Sequence, residues 1–299
     1  MPIENPSSQA TFSAENFSSS FPLFLPGGRL SLVQNDPTGS ATDAATLFYV
    51  PYASSFVPVW NDSANAWENA VIPSAGVSIS FLPLPNASAD VVAFGSPGSE
   101  VRLAIQGWAG NTARLFPLSS NGLRCLDYGA GANPRYRTYL GSIRTTGTGS
   151  ASRLQDSNQF RHVWNAYNQI AKTVSVYENA ASWLYSGTAG RLLNNNANNR
   201  VELMSGLVGQ SLDVSGKFSA YVPAGSGAYF AIAANGSYDA STLGVIAGLT
   251  PGETSVDCRY TGRSILGVNT IQAFESTGGG GTATIYGYGR NGLRGVWLC

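Results

Sequence analysis

The sequence predicts an all-β protein, built as two-sheet β-sandwich or jelly-roll domains behind an extended N-terminal arm, and three observations carry that prediction. Apolar and polar residues alternate with a period of two along most of the 299 residues, as in strands with one buried face. Turn residues break the alternation every eight to twelve positions, which is the rhythm of a sandwich or barrel. The composition is that of a folded chain: 43% of residues are apolar, only 11% are charged and the formal net charge is +0, whereas disorder couples low hydrophobicity to high net charge.

Taken in order, residues 1–28 differ from the rest. Phe12, Phe17, Phe21 and Phe24 stand in Ser-rich runs that end at Pro26-Gly27-Gly28. Exposed phenylalanines at such spacing need a surface to cover them, so the segment reads as an arm docking on a partner subunit or a larger particle. The alternative is a strand of the first domain.

From Arg29 the alternation begins: Leu30 and Leu32, Leu47 and Tyr49, Val77, Ile79 and Phe81, then Val101, Leu103 and Ile105 each mark one buried strand face. Asp36-Pro37, Asn121-Gly122, Asn235-Gly236 and Asn291-Gly292 supply turn chemistry. The run GAGANPR breaks the texture and places a domain boundary near Asn133, giving a sandwich over 29–133 and a second, jelly-roll-like sandwich over 134–299. In the second unit strands are expected near 138–146, 159–165, 171–178, 199–207, 217–222, 228–233, 256–261, 269–275 and 282–289. The stretch Asp156–Tyr167 is closest to a helical period, yet its Val, Trp and Tyr favour a turn followed by a strand. No fixed-period repeat is present, which argues against a long β-helix.

Several stretches resemble a module of bacteriophage virion proteins. Tyr139-Leu140-Gly141-Ser142-Ile143-Arg144-Thr145-Thr146 is similar to that family's "YLGTIRTT" strand, Gln155-Asp156-Ser157 to its "(E/Q)DS" turn, and Phe160, Arg161, Val163, Trp164, Asn165, Tyr167 and Asn168 to its "(K/R)RFVWNxYN" strand. LPGGRLSL (25–32), ATLFYVPY (45–52) and PVWNDSANAW (58–67) are similar to its opening, ASWLYS (181–186) and NRVELMSGL (199–207) to later segments. The likeness covers roughly residues 25 to 210. It implies a virion protein, most often a tail fibre or receptor-binding protein, assembled as a homotrimer with the baseplate or capsid proteins and binding host surface polysaccharide. A capsid decoration or head-fibre protein is the alternative it leaves open, and a glycan-degrading enzyme is a third reading from a different class.

Composition narrows the function further. Zero net charge and the lack of a basic tract argue against nucleic acid and anionic membranes as partners. No apolar run approaches a membrane span and no basic-then-apolar leader opens the sequence, so no membrane insertion is expected. Cys125, Cys258 and Cys299 form an odd set without metal-ligand spacing, which supports neither a disulfide framework nor zinc. They read as buried thiols, with Cys299 the one open to exposure and oxidation.

Catalytic constellations are weak. His162 stands on a predicted strand without a nucleophile-elbow motif and reads as a structural, partly exposed histidine. Asp156, Glu178, Glu202 and Asp257 are the carboxylates in or beside strands, and strand ends and turn caps account for them as well as a glycosidase pair does. Asn35, Asp36 and Asp43 read as a solvated turn rather than a cation loop. No cofactor, metal site or enzymatic activity is expected. Aromatic residues suited to stacking on sugar rings are the favoured binding groups, namely Tyr238, Tyr260, Tyr286, Tyr288 and Trp297, within a C-terminal set that includes Tyr221 and Tyr229.

Overall fold

The structure, a computed structural model, describes residues 25–80, 84–95, 98–119, 124–127, 136–147, 152–238, 242–248, 252–279 and 281–299. Phe12, Phe17, Phe21 and Phe24 of the expected arm, Phe81 and the Asn121-Gly122 turn lie outside them. The chain is all-β, and no α-helix occurs among the described residues.

In the first half the strands are β1 (Gly28–Ser31), β2 (Ala41–Ala44), β3 (Thr46–Pro51), β4 (Phe56–Asn61), β5 (Ala66–Val71), β6 (Val77–Ser80), β7 (Ser88–Phe94), β8 (Arg102–Gly107), β9 (Leu118–Ser119), β10 (Cys125–Asp127), β11 (Tyr136–Thr146), β12 (Arg153–Asp156), β13 (Phe160–Arg161) and β14 (Val163–Asn165). The second half adds β15 (Ala171–Tyr177), β16 (Ser182–Tyr185), β17 (Arg191–Leu192), β18 (Arg200–Ser205), β19 (Ser211–Val222), β20 (Gly227–Ala234), β21 (Ser237–Tyr238), β22 (Gly244–Ala247), β23 (Gly252–Arg263), β24 (Gly267–Thr277), β25 (Ala283–Tyr286) and β26 (Gly292–Leu298).

These strands form a three-stranded sheet β1-β3-β6, a hairpin β4-β5, a 15-stranded sheet whose spine is β21-β20-β24-β18-β13-β12-β11-β10-β9, and a six-stranded sheet β15-β26-β19-β25-β16 with β23 on β19. Period-two burial is clean where one sheet face meets a core: along β24, Gly267, Asn269, Ile271, Ala273, Glu275 and Thr277 point inward. Two cores result. One gathers Leu30, Leu47, Tyr49, Val57, Val59, Ile72, Val91 and Val101; the other packs Val201, Leu203, Val214, Phe218, Phe230, Ile232, Ile271, Ile285 and Leu293 between the large and six-stranded sheets.

The expected boundary at Asn133 does not separate the cores. Hydrogen bonding runs past it, because β11 pairs with β7 and β10. The division falls instead on β11 and β14, whose neighbouring residues face opposite ways: Leu140, Ile143 and Val163 enter the first core, Tyr139 and Trp164 the second. The residues of the phage-like module thus build the wall shared by both cores. Alternation makes this possible, since a strand flanked by two cores buries both of its faces.

The wall is held by specific contacts. The Tyr139 and Trp164 rings stack with centroids 6.3 Å apart. Gly141 and Gly206 are required by close approach: a Cβ on Gly141 would lie 2.1 Å from the Trp164 carbonyl oxygen, and one on Gly206 2.1 Å from the Tyr139 hydroxyl. Asn165 accepts from the Leu30 N–H at 2.7 Å and donates to the Leu30 carbonyl at 3.3 Å. Its amide therefore acts as a third strand beside β1. Asn168 donates to the carbonyls of Pro26 and Gly28, so Pro26–Gly28 are buried parts of the first unit and not of an arm.

Arginine supplies buried straps within the chain. Arg29, 1% exposed, donates to the Pro37, Asn168 and Cys299 carbonyl oxygens, tying β1 to the segment after β14 and to Cys299, which follows β26 in the second core. Arg161 bonds Asp156 at 3.1 Å and the Thr173 carbonyl, and Lys172 closes on the other Asp156 oxygen. Arg114 reaches Asp90, Tyr139, Ser142 and the Gly206 carbonyl, lashing the loop after β8 to the wall. Guanidinium groups suit this task because their donors fan out in a plane toward several fixed acceptors.

Candidate functional site

The described surface has a concave groove of about 370 Å³ on the outer face of β20 and β24. The register builds it. Tyr229 opposes Ser276 and Ala231 opposes Phe274 on the outward face, while Phe230 and Glu275 oppose each other on the inward one. Thr188 and Gly190, from the loop between β16 and β17, and Leu243, before β22, complete the walls. Tyr229 and Phe274 give apolar faces, and Ser276 and Thr188 give hydroxyls, which is the mixture that recognises a sugar ring.

Behind the groove sits a polar unit, centred on the buried Glu275, that fixes its shape. The Trp183 indole N–H donates to both Glu275 oxygens, at 3.1 and 2.8 Å. Arg191 adds Nε and Nη2 contacts to Glu275 Oε1, each 2.8 Å, and stacks its guanidinium 3.8 Å from the centroid of Tyr185. The Tyr185 hydroxyl donates to the Ala189 carbonyl at 2.6 Å, and Thr277 donates through N–H and hydroxyl to Gly187. The loop forming one wall is thereby anchored to the floor at both ends. Burial pushes the Glu275 carboxyl above its ordinary range, against the pull of Trp183 and then Arg191. This carboxylate is fully covered and hydrogen-bonded, and it is the sole acid among the described lining residues. The groove therefore lacks the two facing carboxyl groups of glycoside hydrolysis.

The residues predicted from sequence lie elsewhere and are not brought together. Trp297 is 1% exposed and belongs to the second core, which corrects its assignment as a binding residue; its neighbours Val296 and Leu298 take the outward positions. Tyr260 is half-buried against the same core. Tyr286 is half-buried with the Arg290 guanidinium 5.5 Å from its ring, and Tyr288, 76% exposed, occupies a turn at φ 50. Tyr238 lies on β21 beside Ala233, and its side chain is outside the described residues. Among the described side chains of the C-terminal set, Tyr229 alone lines the groove.

Other expectations are also corrected. His162 is fully buried, not partly exposed, with Nε2 3.1 Å from Glu202 and Nδ1 without a hydrogen-bond partner among the described residues. Burial alone would raise the Glu202 carboxyl, but the hydrogen bond and charge of His162, followed by those of Arg200, hold it down at about 2. Cys299 is buried rather than exposed, and burial pushes its thiol up to about 11. The cysteines form no disulfide among the described residues. Asn291 lies in the bend just before β26 and is a buried amide bracketing the Ser219 backbone. Asp36 caps Thr38 locally, Asp43 pairs with Arg153, and Glu178 receives Ala180, Asn196 and Asn199.

Sequence reasoning missed Trp183, Tyr185, Arg191 and Phe274, which converge from three strands. It also missed a second aromatic surface: Trp60 and Trp67, paired across the β4-β5 hairpin at 5.5 Å, meet Tyr136 at 5.1 and 6.1 Å, all partly exposed.

No family model and no curated protein matches the chain. Solved structures it is similar to include dimeric latent PorU from Porphyromonas gingivalis (11% identity, TM-score 0.29, 91% of this chain and 21% of that one), exo-beta-1,3-galactanase from Phanerochaete chrysosporium with galactose (15%, 0.23, 92% and 70%), and a Bacillus thuringiensis Cry1Da tryptic core variant (6%, 0.22, 90% and 50%). The chain spans about a fifth of the PorU chain. At these TM-scores the likenesses bear on neither activity nor partner.

Proposed function

We propose that this chain is a bacteriophage virion protein of the tail-fibre type, which attaches to host surface glycan by reversible contacts in the β20-β24 groove. The observation that carries the binding reading is the groove itself: Tyr229 and Phe274 flank hydroxyl-bearing Ser276 and Thr188 on a floor braced by Glu275, Trp183 and Arg191. A braced floor loses little conformational entropy when a ligand arrives. The buried, committed state of Glu275 favours holding glycan over cleaving it. The virion assignment rests on the resemblance of residues 25 to 210. Weak individual sites would act together, since each contact after the first is made at high effective concentration.

The test is to add purified protein in excess to cells of the natural host and measure both saturable binding and block of phage adsorption. Both are expected. Tyr229→Ala and Phe274→Ala should each weaken binding about tenfold or more, the scale of losing one stacked ring. Full-strength binding by the double variant would reject the groove, and absence of wild-type binding would reject the attachment role. Release of reducing sugar would replace binding with hydrolysis.

A further inference from the structure

Both sheets of the second core end on the same side in an edge strand. Among the described residues β22 pairs only with β20, and β23 pairs only with β19, along all 12 of its residues. The two edge strands are adjacent, since a Cβ on Gly244 of β22 would meet Cys258 Sγ and Val256 of β23. An edge of this length, about 40 Å, presents a row of backbone donors and acceptors to any strand that fits. Edges are blunted by charged side chains or proline, and β23 carries charges of both signs and no proline.

The outward side chains of β23 are Glu253, Ser255, Asp257, Arg259, Thr261 and Arg263, all exposed. Read backward, the order acid, hydroxyl, acid, base, hydroxyl, base is its own complement. We infer that a second copy of this chain pairs with the β23 edge in antiparallel fashion, centred on Cys258, joining the two six-stranded sheets into one. In that register Glu253 faces Arg263 of the partner subunit, Asp257 faces Arg259 of the partner subunit, and each pair occurs twice, as a two-fold interface demands. A slip of two residues either way sets Asp257 against its own copy or Arg259 against its own copy. The charges therefore select one register and penalise its neighbours.

Existing bonds leave room for these pairs. Arg259 uses Nε and Nη2 on Asp213, leaving Nη1; Glu253 receives Arg290 on Oε1, leaving Oε2; and Asp257 has no ion-pair partner among the described residues. Cys258 turns inward, with Sγ 3.5 Å from the Phe230 carbonyl oxygen, so the joint is non-covalent. Val245 and Leu243, 48% and 42% exposed, flank the same edge. Because a two-fold axis normal to antiparallel strands keeps like faces on one side, the two grooves would open in the same direction.

Sedimentation velocity on the full chain tests this. Wild type is expected at the mass of two chains. Glu253→Arg sets Arg against Arg263 of the partner subunit, and Arg263→Glu sets Glu against Glu253 of the partner subunit, so each variant alone should dissociate on the order of tenfold more readily. Mixed in equal amounts, the two should recover the pair, because only the mixed pairing is complementary at both positions. A wild-type monomer, a mass of three chains as the family resemblance implies, or variants that neither dissociate nor recover on mixing would overturn the proposal. None of these masses decides whether the groove binds glycan.

Discussion

Replacing Asn165 with leucine should detach the first core from the shared wall. Leu30 faces Tyr49 across β1 and β3, and its N–H and carbonyl turn away from that partner toward the Asn165 amide. Asn165 is 3% exposed and Leu30 2%, so water does not replace the lost amide. Leucine keeps the branched shape, fills the space and leaves one donor and one acceptor stranded. Each stranded group costs roughly 1–3 kcal/mol, and the pair on the order of 2–5 kcal/mol after a small return from the new apolar contact. In urea this appears as a lower midpoint, and in a scan as a Tm lowered by roughly 5–15 °C. Hydrogen exchange should accelerate over Gly28–Pro51 before it does in β19 or β24. Asn61→Leu is the control, because that amide meets only Glu68 and its own turn at a half-exposed position. A loss below about 1 kcal/mol for Asn165→Leu, or unchanged exchange at Leu30, would refute the claim that this amide serves as a strand.

Gly141→Ala forces a Cβ against the Trp164 carbonyl, a backbone atom that cannot rotate away, and should cost about 1–3 kcal/mol by equilibrium denaturation; Gly190→Ala, with nothing within 4 Å, should cost little. Glu202 gives an acid limb: its carboxyl lies at about 2 when folded against an ordinary 4.5, so the stability it contributes is present above pH 4.5 and lost as pH falls toward 2. Glu202→Gln should flatten the midpoint-versus-pH curve in that window by on the order of 3 kcal/mol, while a curve parallel to wild type would show that His162 and Arg200 do not hold the carboxylate. Arg191→Ala removes the bridge between Glu275 and Tyr185, so glycan affinity should fall severalfold and proteolysis within 186–190 should rise, with unchanged cleavage counting against an anchored wall.

The longer strands of the second half were legible where one face meets a core and the other meets solvent, as along β24, whereas the short β16, β17, β21 and β22 were not. β26 escaped because Gly292 and Gly295 interrupt the pattern; they are glycine because a Cβ would meet the Val176 and Asp213 carbonyls at 2.3 and 2.5 Å. The same strand misplaced Trp297: lying between β15 and β19, it buries Leu293 and Trp297 and exposes Val296 and Leu298, a phase that residue types alone invert. Asn291-Gly292 shows the limit of turn chemistry, since the dipeptide resembles Asn235-Gly236, which does turn at φ 53 and φ 77, while the Asn291 amide is drawn inward by the Ser219 backbone. The groove was half legible. Tyr229 belongs to an aromatic set visible in sequence, but its union with Phe274 and with the Trp183-Glu275-Arg191 unit depends on the registers of β24 with β17 and β20.

The placement of the phage-like residues explains why resemblance and candidate groove part company. Tyr139, Gly141, Trp164, Asn165 and Asn168 are occupied by stacking, close approach and backbone capture, and side chains fixed between two cores are not available to a ligand. The groove and the β23 edge draw chiefly on residues after 210, beyond the matched stretch, and reach back into it for Trp183, Tyr185 and the loop at 186–191. Those two matched aromatics work behind the lining, bracing a floor whose exposed chemistry comes from Tyr229, Phe274 and Ser276. The part of the likeness that lies in the wall and the brace therefore speaks to how the scaffold is held. On the reading proposed above, recognition would be set by the outward Tyr229, Phe274 and Ser276 of β20 and β24, which point away from the second core.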